Sequence, residues 1–306
     1  MKFVTRFAPS PTGPLHLGHA YSAMLAHDMA LEQGGDFLLR IEDIDRSRAR
    51  IEWEQQIYDD LNWLGVWFPK PVMRQSERQE VYDDALDQLW KMGLLYPCTC
   101  NRKDIAAAAS APQEGAPLHG PDGVIYPGTC RDSWEQTFSD SHMRPLNVPL
   151  RLDMAKATDM APKLFQARTV PGTPFSRIGC FEEHGFGPNH EHGVVEFTPE
   201  EMVRTIGDVV LSRRDMGTSY HLSVVLDDAA QGVSHVVRGQ DLFEATRIHV
   251  LLQALLDLPK PIYHHHSLIR DSAGKRLAKR DDARAISKFR ADGASPEDIR
   301  TLVGLN

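Results

Sequence analysis

The sequence predicts an α/β fold with a parallel sheet, on three observations. Residues 3–34 read as an apolar strand, a rigid turn-rich loop and a helix. Phe37-Leu38-Leu39-Arg40-Ile41 then reads as a second strand after the Gly34-Gly35 break, which completes a βαβ unit. After a long middle stretch without this pattern, apolar runs resume at Asp208 and at Val233 to Arg238. A chain of 306 residues can be one large domain or two to three modules, and 42% apolar with 25% charged residues is ordinary for a globular protein.

Taken in order, the first strand runs from Phe3 to Phe7 and leads into Pro9, Ser10, Pro11, Thr12, Gly13 and Pro14. His16-Leu17-Gly18-His19 opens the helix, whose Met24, Leu25 and Met29 recur at helical spacing. A strand, loop and helix start present unpaired N–H groups and a positive dipole end to an anion. Two imidazoles add donors, and Gly18 leaves space for a base or ribose against the backbone. Alone, a His-x-Gly-His string is equally a plain helix start. Glu42-Asp43-Ile44-Asp45 follows the second strand at its carboxyl end, where open α/β sheets gather ligand groups. These carboxylates suit an amine, a ribose or a metal, or else cap the next helix. Ile51, Trp53, Ile57, Leu61 and Leu64 give an amphipathic helix ended by Gly65. A further helix is predicted from Gln75–Arg78 to about Met92, before Gly93.

The stretch from 94 to 197 departs from the α/β pattern. Cys98 and Cys100 lie near its start and Cys130 about thirty residues on, with an Ala-, Pro- and Gly-rich loop between. Three thiols so spaced can bind one tetrahedral zinc, with His119 or Tyr126 as fourth ligand, or can be ordinary buried cysteines. Residues 171–197 combine Gly and Pro with Cys180, Glu182, Glu183, His184, His190 and His192, and a mobile insertion is expected there. Tyr220 to Asp228 reads as a strand, and Val233 to Arg238 as another ending in a polar cluster. Asp241 with Glu244 forms a predicted capping box for a helix that buries Leu242, Ala245, Ile248, Leu252 and Leu255.

Several classes are disfavoured. No apolar run approaches ~18 residues, so no membrane span is expected. The N-terminus lacks a secretory pattern, and four cysteines do not make a disulfide framework in so long a chain, so a cytoplasmic setting is expected. A net charge of −8 argues against a general nucleic-acid binder, yet residues 270–290 hold eight Lys/Arg and three Asp, an electrostatic footprint suited to RNA phosphates.

The string from Arg6 to His19, Arg-Phe-Ala-Pro-Ser-Pro-Thr-Gly-Pro-Leu-His-Leu-Gly-His, resembles the class I aminoacyl-tRNA synthetases, in particular their glutamyl branch. Arg40-Ile-Glu-Asp-Ile-Asp45 and Val236-Val-Arg-Gly239 are similar to that branch as well. Lys275-Arg276-Leu277-Ala278-Lys279 resembles the class's Lys-Met-Ser-Lys-Ser signature, with Lys279 at the second lysine, Arg276 for the first and Ala278 for the serine. The resemblance implies a class I synthetase, Rossmann-like catalytic domain split into 1–93 and 198–260. It also implies an inserted zinc-binding subdomain at 94–197 and a short helical stem-contact region at 261–306, with no anticodon-binding domain.

The same resemblance implies that His16, Gly18, His19 and Lys279 serve ATP, with His16, His19 and Lys279 catalytic. Arg6, Ala8, Ser10, Glu42, Tyr220 and Arg238 would bind glutamate, Glu42 through its α-amino group. One structural Zn²⁺ would sit on Cys98, Cys100, Tyr126 and Cys130, and Mg²⁺ would accompany ATP. The implied reaction is formation of glutamyl-AMP and transfer of the glutamyl group to RNA. Only 26 residues follow Arg280, which resembles the truncated members of the branch that attach glutamate to the queuosine base of tRNA(Asp). L-glutamate, ATP and that tRNA are then the partners of an expected monomer. The alternatives are a minimal synthetase charging a tRNA 3′ end, a nucleotidyltransferase of the same superfamily, and a non-catalytic zinc-dependent RNA-binding module.

Overall fold

In the computed structural model, which describes residues 2–101, 103–105, 119–137, 143–168, 176–269 and 284–305, the chain opens with β1 (Val4–Phe7). Helix α1 (Leu17–Glu32) returns the chain to β2 (Asp36–Ile41), which lies parallel to β1 in the register Val4 to Asp36. The turn between them needs its glycines. Gly34 has φ +58°, and a Cβ on Gly35 would lie 2.1 Å from the Phe3 carbonyl oxygen. Helix α1 buries Ala20, Ala23, Met24, Ala26 and Ala30 against the sheet, and so many alanines bring its axis close. Helix α2 (Ile51–Trp63), β3 (Met73–Arg74) and α3 (Gln79–Lys91) complete this half, with β3 parallel to β2.

The middle of the chain supplies β4 (Leu95–Pro97), the hairpin of β5 (His119–Gly120) and β6 (Gly123–Val124), α4 (Thr129–Thr137), β7 (Leu150–Leu152), α5 (Met154–Asp159) and β8 (Gln166–Arg168). It continues with β9 (Ser176–Glu183), β10 (Gly193–Phe197), α6 (Pro199–Thr205) and β11 (Val210–Ser212). Strands β11, β7 and β4 form a small antiparallel sheet in that order. The remaining elements are α7 (Tyr220–Ala230), β12 (His235–Gly239), α8 (Thr246–Leu255), β13 (Ile262–His266), α9 (Ile286–Ala291) and α10 (Pro296–Val303).

Strand β12 pairs parallel with β13, and β13 in turn with β9. The two half-sheets meet at β1 and β12. Ser234 donates its backbone N–H to the Val4 carbonyl at 3.0 Å, and its Oγ accepts the Val4 N–H at 2.8 Å. The strand order is therefore β3-β2-β1 followed by β12-β13, running outward in both directions from one point. Open α/β sheets bind ligands at such a switch point, beyond the carboxyl ends of the strands. Two apolar cores flank the sheet, one around α1, α2 and α10, the other around α3, α8 and β9. Among the described residues no helix is long and apolar enough to cross a membrane.

Three expectations are corrected. Tyr220 to Asp228 is helical, within α7, because Ser219 caps it by accepting from the Leu222 N–H and nearly every face of the helix is buried, which erases the polar stripe. Residues 176–183 and 193–197 are paired antiparallel strands of the main sheet, where a mobile insertion was expected; Phe181 and Glu183 point inward along the alternation. The Asp241–Glu244 box is not formed, since Gln240–Leu242 makes a 3₁₀ turn and α8 starts only at Thr246.

Candidate active site

The switch point carries a cavity of about 260 Å³. The carboxyl ends of β1 and β12 supply Arg6, Phe7, Ala8, Arg238 and Gly239; α1 supplies Gly18, His19 and Ser22 behind His16; β2 ends in Glu42; and α7 begins with Tyr220. Of the predicted site residues, Arg6, Ala8, His16, Gly18, His19, Glu42, Tyr220 and Arg238 thus border one space. Ser10 is exposed and lines an adjoining cavity, which shares Glu42 and Tyr220 with the first. Lys279, with Arg276 and Ala278, lies outside the described residues. The described residues on either side of that stretch are at the site. Leu268 and Ile269 line the cavity, while Ala285 bridges to His16 and Ile286 donates to the Leu15 carbonyl at 2.9 Å.

At the helix start, His16 is the N-cap and its backbone N–H donates to His19 Nδ1 at 3.2 Å. The two rings stack at 3.7 Å. A Cβ on Gly18 would press on the His16 ring at 3.1 Å, so the close imidazole pair depends on that glycine. With Nδ1 of His19 an acceptor, the neutral ring carries its proton on Nε2.

The floor of the cavity is a buried charge network. Asp228 accepts from Arg6 Nε at 3.0 Å and Nη2 at 3.3 Å, and from Arg40 Nη1 at 2.7 Å. Arg40 also donates to Glu42 at 3.1 Å and to Gln231 at 2.9 Å. Asp227, the next residue, accepts from Arg78, Gln75 and the Tyr82 hydroxyl. Burial alone would raise the Asp228 carboxyl, but Arg6 and Arg40 hold it below the usual carboxylate range. Burial raises Glu42 despite Arg40 and Arg6. Arg238 is treated differently. Among the described residues its side-chain partners are the neutral groups His265 Nε2 at 3.0 Å, His249 Nδ1 at 3.0 Å and Thr246 Oγ1 at 2.7 Å.

The sequence reading gave no site role to Arg40, Asp227, Asp228, His249 and His265, and it placed Glu183 in a mobile insertion. One signal was present: Arg40 sits between apolar Leu39 and Ile41 in a strand, and a guanidinium buried there requires a carboxylate partner.

The three cysteines also come together. Sγ atoms of Cys98, Cys100 and Cys130 all lie within 4.8 Å of one another. The Tyr126 hydroxyl is 3.5 Å from Cys100 Sγ and accepts the Cys130 N–H at 2.8 Å, whereas His119 is exposed on β5. Arg151 donates to Cys98 Sγ at 3.3 Å, and its guanidinium lies 3.9 Å from the centre of the Tyr126 ring. Burial would raise the Cys130 thiol, but hydrogen bonds from Tyr126 and the Thr99 backbone draw it below its ordinary value.

A doubly wound sheet, with a His-x-Gly-His helix start and a charged cavity at its switch point, fits the class I synthetase catalytic fold that the sequence resembles. The chain belongs to the tRNA synthetases class I (E and Q), whose catalytic-domain model matches residues 2–164 and 189–306. It is 61% identical over 306 residues to a glutamyl-Q tRNA(Asp) synthetase of Rhodobacter capsulatus, covering 99% of this chain and 100% of that one. A protein of the same name from Symbiobacterium thermophilum is 39% identical over 305 residues, 83% of its length. Among solved structures, a glutamate tRNA ligase of Elizabethkingia meningosepticum in complex with its amino acid matches with a TM-score of 0.69 and 25% identity. This chain spans 60% of that ligase. Methionyl-tRNA synthetase of Mycobacterium tuberculosis shares the fold, at a TM-score of 0.59 and 10% identity.

Proposed function

We propose that the chain activates L-glutamate with ATP and passes the glutamyl group to the queuosine base of tRNA(Asp). The observation that carries the amino-acid choice is the cavity in which Arg238, lacking a directly bonded carboxylate among the described residues, shares a wall with Glu42. A guanidinium suits a side-chain carboxylate, and a buried carboxylate suits an α-ammonium. The glutamyl-Q name of relatives that match over the whole chain supports the RNA acceptor.

In this reading the α-carboxylate of glutamate attacks the α-phosphorus of Mg-ATP. A P–O bond forms to give glutamyl-AMP, and the bond to pyrophosphate breaks with the leaving group as the anion. No base is required because the nucleophile is already ionised. Rate comes from positioning and from charge stabilisation at the transferring phosphoryl group. Arg6, Ala8, Ser10, Tyr220, Arg238 and Glu42 hold the amino acid. The N-terminus of α1, with His16, Gly18 and His19, receives the nucleotide. Lys279 is assigned to the same phosphates.

The Cys98, Cys100 and Cys130 thiols with the Tyr126 phenol fit one structural Zn²⁺ in kind and spacing, and such an ion would contribute folding free energy to the 94–197 segment. That segment is proposed as an insertion between catalytic halves 1–93 and 198–260, with its last two strands, β9 and β10, joined to the catalytic sheet; 261–306 is proposed as the stem-contact region, entered through β13 of the same sheet.

The test is transfer of radiolabelled glutamate to tRNA(Asp) with and without queuosine, each with a free or a dideoxy-terminated 3′ end. Label that needs queuosine and survives the blocked end supports the proposal. Label that ignores queuosine and vanishes with the blocked end makes the chain a minimal 3′-charging synthetase.

A further inference from the structure

Arg238 is buried at the carboxyl end of β12, yet its hydrogen-bond partners differ from those of its neighbours. Arg6 and Arg40 share the Asp228 carboxylate directly. A guanidinium has only donors, so every atom Arg238 touches must accept. His265 Nε2 accepts from Arg238 Nε, which leaves the ring proton of His265 on Nδ1; that nitrogen donates to Glu183 Oε2 at 2.5 Å. His249 Nδ1 accepts from Nη1, which leaves its proton on Nε2, 3.1 Å from His221 Nδ1. His221 is then protonated on Nε2 and donates to Asp122 at 2.9 Å.

Two imidazole chains therefore run away from one cation, and each is consistent in a single direction. One reaches a carboxylate after one ring, the other after two. Thr246 Oγ1 takes a third N–H. Three of the five N–H bonds are so committed to described residues, which leaves one on each terminal nitrogen of a side chain that lines the cavity. Burial and the nearby guanidinium both depress His249, and burial depresses His265 to about 4, so both rings are neutral at physiological pH. A carboxylate in either place would orient the guanidinium equally well but would quench its charge.

We infer that His249 and His265 are positioning residues that hold Arg238 as a cation with no directly bonded carboxylate among the described residues, and so set the preference for an acidic over an amidic substrate side chain. This rests on the glutamate reading above. The positive charge is kept by neutral acceptors, and the tautomers are kept by Glu183 and Asp122.

Two measurements test it on the full-length chain. Ring-nitrogen spectra of ¹⁵N-histidine protein should show neutral His265 protonated on Nδ1 and neutral His249 protonated on Nε2; a charged ring or the opposite tautomer at either position overturns the inference. Glutamate- and glutamine-dependent ATP–pyrophosphate exchange is then compared for His249→Ala, His249→Gln and His249→Glu. The glutamine variant, a neutral acceptor, should recover most of the affinity lost in the alanine variant. The glutamate variant, a charged acceptor, should raise KM for glutamate roughly a hundredfold over the glutamine variant, change kcat far less, and narrow the glutamate-to-glutamine ratio. Equal KM values and equal ratios for His249→Gln and His249→Glu at matched Tm overturn the inference in favour of a purely structural role. Absence of glutamate-dependent exchange in the unaltered chain overturns the glutamate reading itself, and the spectra then decide the histidine assignment alone.

Discussion

Replacing Asp228 by Asn tests the network beneath the cavity. The carboxylate accepts three charge-assisted hydrogen bonds, two from Arg6 and one from Arg40, all buried. Asparagine keeps the shape but offers one acceptor oxygen and no charge, and its NH₂ faces guanidinium donors. Stranding buried charge in this way costs about 3–5 kcal/mol. For a chain of this size that corresponds to a Tm roughly 5–10 °C lower. Urea unfolding of Asp228→Asn, Arg40→Met and the double variant forms a cycle. The double variant should lose less than the sum of the singles by about 2 kcal/mol, because removing Arg40 also removes one of the stranded charges. The pH dependence has a definite sign. The folded carboxyl lies below its ordinary value, so its contribution is present above about pH 4 and is lost as pH falls through the folded pKa. An unfolding free energy within about 0.5 kcal/mol of the unaltered chain, or an additive cycle, would refute the account of Asp228 as the shared counter-ion.

Arg238→Gln should lower kcat/KM for glutamate by about 10²- to 10³-fold with a Tm change of a few degrees, read by pyrophosphate exchange; an unchanged value would remove Arg238 from the pocket. His265 has a folded pKa of about 4 against about 6.5 unfolded, so stability should be full above pH 6.5 and fall by up to about 3 kcal/mol on acidification to pH 4. His265→Gln should flatten that slope in denaturant titrations taken across the range, and an identical slope would assign it to other groups. Metal analysis by mass spectrometry should find about one zinc per chain, with loss on Cys130→Ser and a lower Tm after chelation; full-length protein that is metal-free and equally stable would exclude the zinc reading.

Much of the site was legible because it is local. The strand, turn and helix start from Val4 to Glu32 carry their own signals, and Glu42 follows its strand by one residue. Cys98, Cys100 and Cys130 announced themselves by residue type. What escaped is non-local or buried on all sides. Val224 and Val225 in a run beginning at Tyr220 mimic a strand, and only burial around the whole helix explains them. Residues 184–192 are rich in Gly, His and Pro as a turn should be, and they concealed the strands on either side. Asp228 is invisible as a partner of Arg40 because no local pattern spans 188 residues.

That separation also has a consequence for synthesis. The first βαβ unit leaves the ribosome with Arg6 and Arg40 already in place, but Asp228 follows Arg40 by 188 residues. At roughly 5–20 residues per second the unit waits about 10–40 s for its counter-ion and for β12, the neighbour that covers the edge of β1. During that interval a half-sheet with an open edge, and with Arg6 lacking its carboxylate partner, is exposed to other nascent chains. The yield of folded protein should therefore depend on translation speed over the middle third of the message more than over its end.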